Sequence, residues 1–322
     1  MRRDLSQCVV VITGASSGFG RAAARQFAER GSRVVLAARS ERPLQAVASE
    51  CEACGAEALV VATDVRDEQR VQMLADAALQ RFGRVDVWLN NAGVIAYGRF
   101  AEVPSEVFRN VIETNLMGQV HGARAALRAF GHGDAGGVLI NMASVWGRVS
   151  APDVSAYVAS KFAIRAFGEC LRQELRGVPG IDVVAVLPQA GDTPIFAQAA
   201  NFSGRGVRPI PPLVDPEGVA RGIVRCAECP KPEVTFGRAG RLFEMLHLLA
   251  PRLYSRVLPP AFELGNYRRD AVSETAGRVL APTDEQAAYE VRGGWKRDRR
   301  TELARALAAT LTGLLKGLFG RG

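Results

Sequence analysis

Tyr157 and Lys161 stand four residues apart in Tyr157-Val-Ala-Ser-Lys161. On a helix this spacing puts a phenol and an ammonium on one face, about 5–6 Å apart at Cβ. Tyrosine, with a reference pKa near 10, is a poor acid or base at neutral pH, and a nearby cation favours its phenolate. Such a pair arises often by chance, so its neighbours matter. Ser144 follows an apolar stretch at 138–141, and Asn90-Asn91-Ala92-Gly93 follows another at 85–89. A serine and a tyrosine that converge on one oxygen supply two hydrogen bonds to a developing alkoxide, and the phenol supplies a proton.

These groups need a scaffold that gathers them at one edge. Continuous apolar runs at 8–12, 33–37, 58–62, 85–89, 137–141, 181–187 and 233–236 read as strands, most of them buried on both faces. Helical stretches lie between them at 21–30, 41–54, 67–82, 105–130, 155–176 and 216–229. The alternation means βαβ units and an α/β fold with a doubly wound parallel sheet of the Rossmann kind. Ligands of such sheets bind beyond the carboxyl ends of the strands, where all these side chains fall. So does Thr13-Gly14-Ala15-Ser16-Ser17-Gly18-Phe19-Gly20, between the first strand and the first helix. Its G-x-x-x-G-x-G spacing lets the backbone approach a pyrophosphate, and the helix N-terminus adds unpaired N–H donors. An acidic residue after the second strand would bind the ribose 2′-hydroxyl and repel a 2′-phosphate. The chain has Ala38-Arg39-Ser40 instead. A guanidinium and a hydroxyl there select NADP(H) over NAD(H).

The turn at 13–20, the Asn91-Ala92-Gly93 turn, Ser144 and the Tyr157/Lys161 pair together resemble the short-chain dehydrogenase/reductase (SDR) superfamily, in its single-domain branch. The likeness runs over residues 1–240. It implies reversible hydride transfer between a nicotinamide and a carbonyl or alcohol. It implies Tyr157 as acid/base, Lys161 lowering its pKa and binding the nicotinamide ribose, Ser144 on the substrate oxygen, and Asn115 in a proton relay. It further implies Asp64, followed by Val65, at the adenine, Asn91, Ala92 and Gly93 against cofactor and sheet, and Pro188 with Thr193 near the carboxamide. One position departs: the glycine usual after Pro188 is Gln189, so the local backbone is expected to differ. The alternative function is a non-catalytic nucleotide-binding sensor or scaffold, which has no need of Tyr157 and Lys161.

Composition sets the outer bounds. With 322 residues, 48% hydrophobic and 23% charged, the chain is long enough for a buried core and too apolar for wholesale disorder. No apolar run reaches the roughly 18 residues of a spanning helix, and the run behind Arg2-Arg3 is too short for a signal peptide, so a cytoplasmic protein is expected. Six cysteines include C-x-x-C pairs at Cys51/Cys54 and Cys226/Cys229. The pairs are far apart and lack matching histidines, so free thiols and no metal are expected. The net charge is +8, and residues from Arg241 onward hold 14 basic against 9 acidic side chains, densest at Lys296-Arg297-Asp298-Arg299-Arg300. A basic tail, unlike a basic face interleaved with aromatics, does not indicate nucleic acid; it reads as a solvated linker or a surface for an acidic partner.

Residues 192–216, rich in Gly and Pro, are expected to form a substrate lid, and 241–322 a mostly helical extension. Leu242, Phe243, Met245, Leu246, Leu248, Leu249 and Leu253 form an apolar stretch that would cover the cleft and favour an apolar substrate. At 301–319 Leu303, Leu307, Leu311, Leu314, Leu315, Leu318 and Phe319 recur at helical spacing. That helix either docks on its own domain or a neighbouring subunit, or lies on a membrane surface as a peripheral contact. The expected assembly is a homo-oligomer acting on a small carbonyl or alcohol.

Overall fold

In a computed structural model, which describes residues 3–131, 136–283 and 285–295, seven parallel strands form one sheet. They are β1 Val9–Thr13, β2 Arg33–Ala38, β3 Ala58–Ala62, β4 Val87–Asn90, β5 Gly137–Met142, β6 Ile181–Pro188 and β7 Glu233–Phe236. Their order, β7-β6-β5-β4-β1-β2-β3, is the doubly wound one. The winding reverses between β1 and β4, which opens a crevice at their carboxyl ends.

The helices are α1 Gly18–Ala28, α2 Glu41–Ala53, α3 Glu68–Phe82, α4 Ser105–Ile112, α5 Gly118–Phe130, α6 Ser155–Glu174, α7 Pro216–Glu228, α8 Ala239–Leu249 and α9 Pro251–Asn266. Val10 and Ile12 pack with α1, α2 and α7, whereas Val9 and Val11 pack with α3, α5 and α6. Side chains alternate across a strand, so covering both faces requires the unbroken apolar runs seen in the sequence. Local chemistry sets the helix limits. Asp67 caps α3 by accepting from the amides of Gln69 (2.9 Å) and Arg70 (3.2 Å), and Gly83 ends it at φ 76°.

Two stretches differ from the sequence reading. The single helix expected over 105–130 contains a π-helical turn, Glu113–Met117, which carries Asn115. Residues 192–216 are also more regular than expected. They hold a 3₁₀ turn, Pro194–Phe196, and strand Ala200–Asn201, which pairs in parallel with Ala96–Tyr97. Strand Arg205–Val207 then pairs antiparallel with Tyr267–Ala271 beyond α9. These pairings tie the segment to the body on one side and to the extension on the other. The basic cluster at 296–300 and the helix read at 301–319 lie outside the described residues. Among the described residues no helix is long and apolar enough to cross a membrane.

Candidate active site

A cavity of about 670 Å³ lies at the carboxyl ends of β1, β4, β5 and β6. Ser144 stands at its floor because the chain leaving β5 makes a 3₁₀ turn, Val145–Gly147, which the serine caps by accepting from the Trp146 amide at 3.2 Å. Gly147 makes that turn possible: a Cβ there would sit 2.6 Å from the carbonyl oxygen of Lys161, so only glycine lets the turn press against α6. On α6, Tyr157 faces the cavity and hydrogen-bonds with Ser144. Lys161 is 4% exposed; its Nζ donates to the Met142 carbonyl at 2.8 Å and lies 5.4 Å from the Tyr157 ring centroid.

Electrostatics here depart from the expectation that Lys161 lowers the tyrosine pKa. Burial pushes the Tyr157 phenol up to about 12, although its hydrogen bond with Ser144 opposes the rise. Burial also pushes Lys161 down to about 7. Both groups obey one rule, that leaving water disfavours the charged form. The phenol is therefore fully protonated at neutral pH.

Asn115 does not line the cavity. Its Oδ1 accepts from the Val94 amide (2.8 Å), and its Nδ2 donates to the Val94 carbonyl (2.9 Å) and to Ser160 Oγ (3.1 Å). The side chain holds the loop after β4 against α6.

The glycine turn is shaped for close approach. Gly14 has φ 64°, and a Cβ on Gly20 would lie 2.2 Å from the Gly14 carbonyl oxygen. Thr13 and Asn91 lock this turn to the next strand, since Thr13 Oγ1 accepts from the Asn91 (3.0 Å) and Ala92 (3.2 Å) amides. Asn91 Nδ2 in turn donates to the Thr13 and Gly14 carbonyls, each at 3.0 Å. Gly14, Ser16, Ser17, Gly18 and Phe19 line the cavity, as do Asn91, Ala92 and Gly93; Thr13 and Gly20 sit behind it. This backbone cradle, open where side chains would block it, fits a dinucleotide pyrophosphate.

At the far end of the cavity lie Arg39, Asp64 and Val65. Burial raises the Asp64 carboxyl, but the hydrogen bonds and charge of Arg66 hold it below the ordinary value, with Arg39 adding to the effect. Arg39 donates through Nη2 to the carbonyl of Arg278 at 2.7 Å, and the Tyr289 hydroxyl lies 3.3 Å from Ser40 Oγ, so Ser40 sits behind the lining. Pro188 and Thr193 line the opposite end. Thr193 accepts at its carbonyl from Trp295 Nε1 (3.0 Å), and its side chain is 3.4 Å from where a Cβ on Gly18 would be. Gln189 donates to the Pro212 carbonyl at 2.5 Å and packs on Gly237, where φ is 107° and a Cβ would meet its side-chain oxygen at 2.0 Å. The larger residue at 189 is thus matched by a residue with no side chain at 237.

Sequence reasoning missed Arg278, Tyr289, Glu290 and Trp295, which the extension folds back onto the cavity. The Gly18 amide donates to the Glu290 carbonyl at 3.0 Å, and Arg21 donates to the Tyr289 carbonyl at 2.6 Å. No local pattern marks these residues, because the partners that place them at the cavity are 80 or more positions away. α8 and α9 line the cavity through Leu242, Phe243, Leu246, Leu258 and Phe262.

Residues 8–203 match the family model of the short chain dehydrogenases. Over 308 residues the chain is 34% identical to the uncharacterized oxidoreductase YxnA of Bacillus subtilis, covering 92% of this chain and 84% of that one. The chain belongs to the short-chain dehydrogenase family. It is therefore an oxidoreductase of the SDR type, with a helical extension beyond the family match. An SDR from Burkholderia phymatum, solved in complex with NAD, is 30% identical and superposes with a TM-score of 0.70, covering 78% of this chain and 96% of that one. An alcohol dehydrogenase from Thermococcus sibiricus, solved with 5-hydroxy-NADP, is also 30% identical; its TM-score is 0.61, covering 71% and 95%. Its SDR neighbours thus bind nucleotides of both kinds.

Proposed function

We propose that the protein is an NADP(H)-dependent oxidoreductase that interconverts an apolar carbonyl compound and its alcohol. The observation that carries this reading is one cavity joining a protonated Tyr157, hydrogen-bonded to Ser144, with an apolar wall from α8 and α9. When bound, the nicotinamide supplies or accepts the hydride. The turn at 13–20 holds the pyrophosphate, Asp64 and Val65 border the adenine, and Arg39 takes the 2′-phosphate, with Ser40 behind it. Lys161, Asn91, Ala92 and Gly93 border the nicotinamide ribose, with Pro188 and Thr193 at the carboxamide.

In the reducing direction Tyr157 gives its hydroxyl proton to the substrate oxygen while Ser144 hydrogen-bonds the same oxygen. A pKa of about 12 keeps that proton in place across the neutral range. Once the proton has left, the phenolate and the Lys161 amine, 5.4 Å from the ring centroid, favour each other's charged forms. Asn115 acts as a positioning residue for this pair. Six free thiols support a reducing, cytoplasmic location, and a homo-oligomer accords with the family fold.

Tyr157→Phe tests the assignment. It removes the proton with little change in volume, so turnover in an NADPH-oxidation assay should fall by about 100-fold or more while NADPH affinity holds. Near-normal turnover would refute Tyr157 as the acid. Tight NADPH binding with no turnover by the wild type on any carbonyl class tried would favour the sensor reading.

A further inference from the structure

We infer that Arg278, from the C-terminal extension, is a second cation for the 2′-phosphate of NADP(H), completing with Arg39 a clamp that the family-matched residues do not contain. The inference rests on the NADP(H) reading and extends it to a residue outside the 8–203 match.

Arg278 is held at the nucleotide end by its neighbours. Its amide donates to the Gln198 carbonyl at 2.9 Å, and Val279, fully buried, packs with Val107 and Val111. Gly277, at φ 50°, lets this segment lie directly on residues 198–199, since a Cβ would be 2.4 Å from both of their carbonyl oxygens. The guanidinium then reaches the cavity wall beside Arg39 and Asp64. Nη1 donates to Gln198 Oε1 at 2.9 Å, and the plane lies over the Tyr289 ring, 4.4 Å from its centroid. The buried Nε has no partner.

Charge at this end does not balance. Asp64 is the one carboxylate on the cavity wall there, and Arg66 engages both of its oxygens. Among the described residues neither Arg39 nor Arg278 has a carboxylate at ion-pair distance. Each lies half-buried beside the other, and burial together with Arg278 holds the Arg39 guanidinium below its ordinary value. Two cations kept together, where the one nearby carboxylate is already engaged by Arg66, suit a dianionic phosphate with several acceptor oxygens. A purely structural Arg278 would need neither the cavity-facing position nor the uncompensated charge.

Equilibrium titration of protein fluorescence with NADPH and NADH, on wild type, Arg278→Gln and Arg278→Lys, provides the test. Adenosine 2′,5′-bisphosphate and AMP serve as competitors that lack the nicotinamide. Arg278→Gln should weaken NADPH and the bisphosphate by about tenfold or more, as expected for a charged hydrogen bond. NADH and AMP should shift less than twofold, and Arg278→Lys should recover part of the loss. Unchanged NADPH affinity, or equal losses for both nucleotides from a loosened strap, would overturn the inference and leave the NADP(H) reading standing. A wild type that binds NADH as tightly as NADPH would overturn both.

Discussion

Replacing Lys161 by methionine should stabilise the protein, and most of all at and below pH 7. Burial lowers the lysine pKa from 10.5 to about 7. Its ammonium has the Met142 carbonyl at 2.8 Å and, among the described residues, no carboxylate. The unfolded chain keeps this proton up to the ordinary value, whereas the folded chain releases it near 7. Between those limits the unfolded state binds more protons, so wild-type stability climbs by about 1.4 kcal/mol per pH unit from this group. The destabilisation is complete below pH 7 and is relieved as pH rises toward 10.5; across the window it is on the order of 5 kcal/mol. Methionine keeps most of the length and the apolar stem but cannot titrate. Cys8, Cys51 and Cys226, whose thiols burial also raises, titrate alike in both proteins and cancel in the difference. Urea unfolding at pH 7, 8 and 9 should therefore show Lys161→Met the more stable at pH 7, its lead shrinking by about 2 kcal/mol by pH 9. A difference that stays flat or grows over that range would refute the reasoning.

Two further substitutions probe the frame and the pocket. In Gly122→Ala the new Cβ would lie 2.0 Å from Asn90 Oδ1, which accepts from Trp88 Nε1 at 2.8 Å; urea unfolding should show a loss of about 2–3 kcal/mol, and an unchanged midpoint would mean α5 can retreat freely. Phe262, packed edge-on against Trp146 at 6.1 Å, should matter by size of substrate. Phe262→Ala should lower kcat/KM about tenfold for a bulky apolar ketone and little for a small one, and an equal loss for both would place the ring outside the substrate path.

What could be read from sequence follows the range over which each signal acts. Strands β1 to β7 were legible because burial on both faces demands unbroken apolar runs, and α3 because Asp67 and Gly83 mark its ends within a few residues. Tyr157, Lys161 and Ser144 were legible by spacing to those elements. The electrostatic outcome was not, because spacing places two groups but burial decides which form each prefers; that is why Lys161 and Tyr157 both shift toward neutrality. Residues 192–216 were half legible. Gly and Pro at 203–216 announce irregular chain, yet nothing local says that Arg205–Val207 will meet a strand some sixty positions later.

The extension shows the same limit from the other side. Its first part puts Leu242, Leu246, Leu258 and Phe262 on the substrate side of the cavity, whereas its last described part puts Arg278 and Tyr289 beside Arg39 and Ser40 and Trp295 on Thr193. One chain segment thus lines both ends of the cavity. Hydride transfer gains from excluding water at the reacting carbon, and a charged clamp gains strength as its surroundings dry. Gln189 belongs to the same arrangement. By reaching Pro212 and filling the space over Gly237, it joins β6 to the lid and to the turn that starts α8. The residue that departs from the family pattern sits where the shared sheet must connect to the segment that the family match does not include.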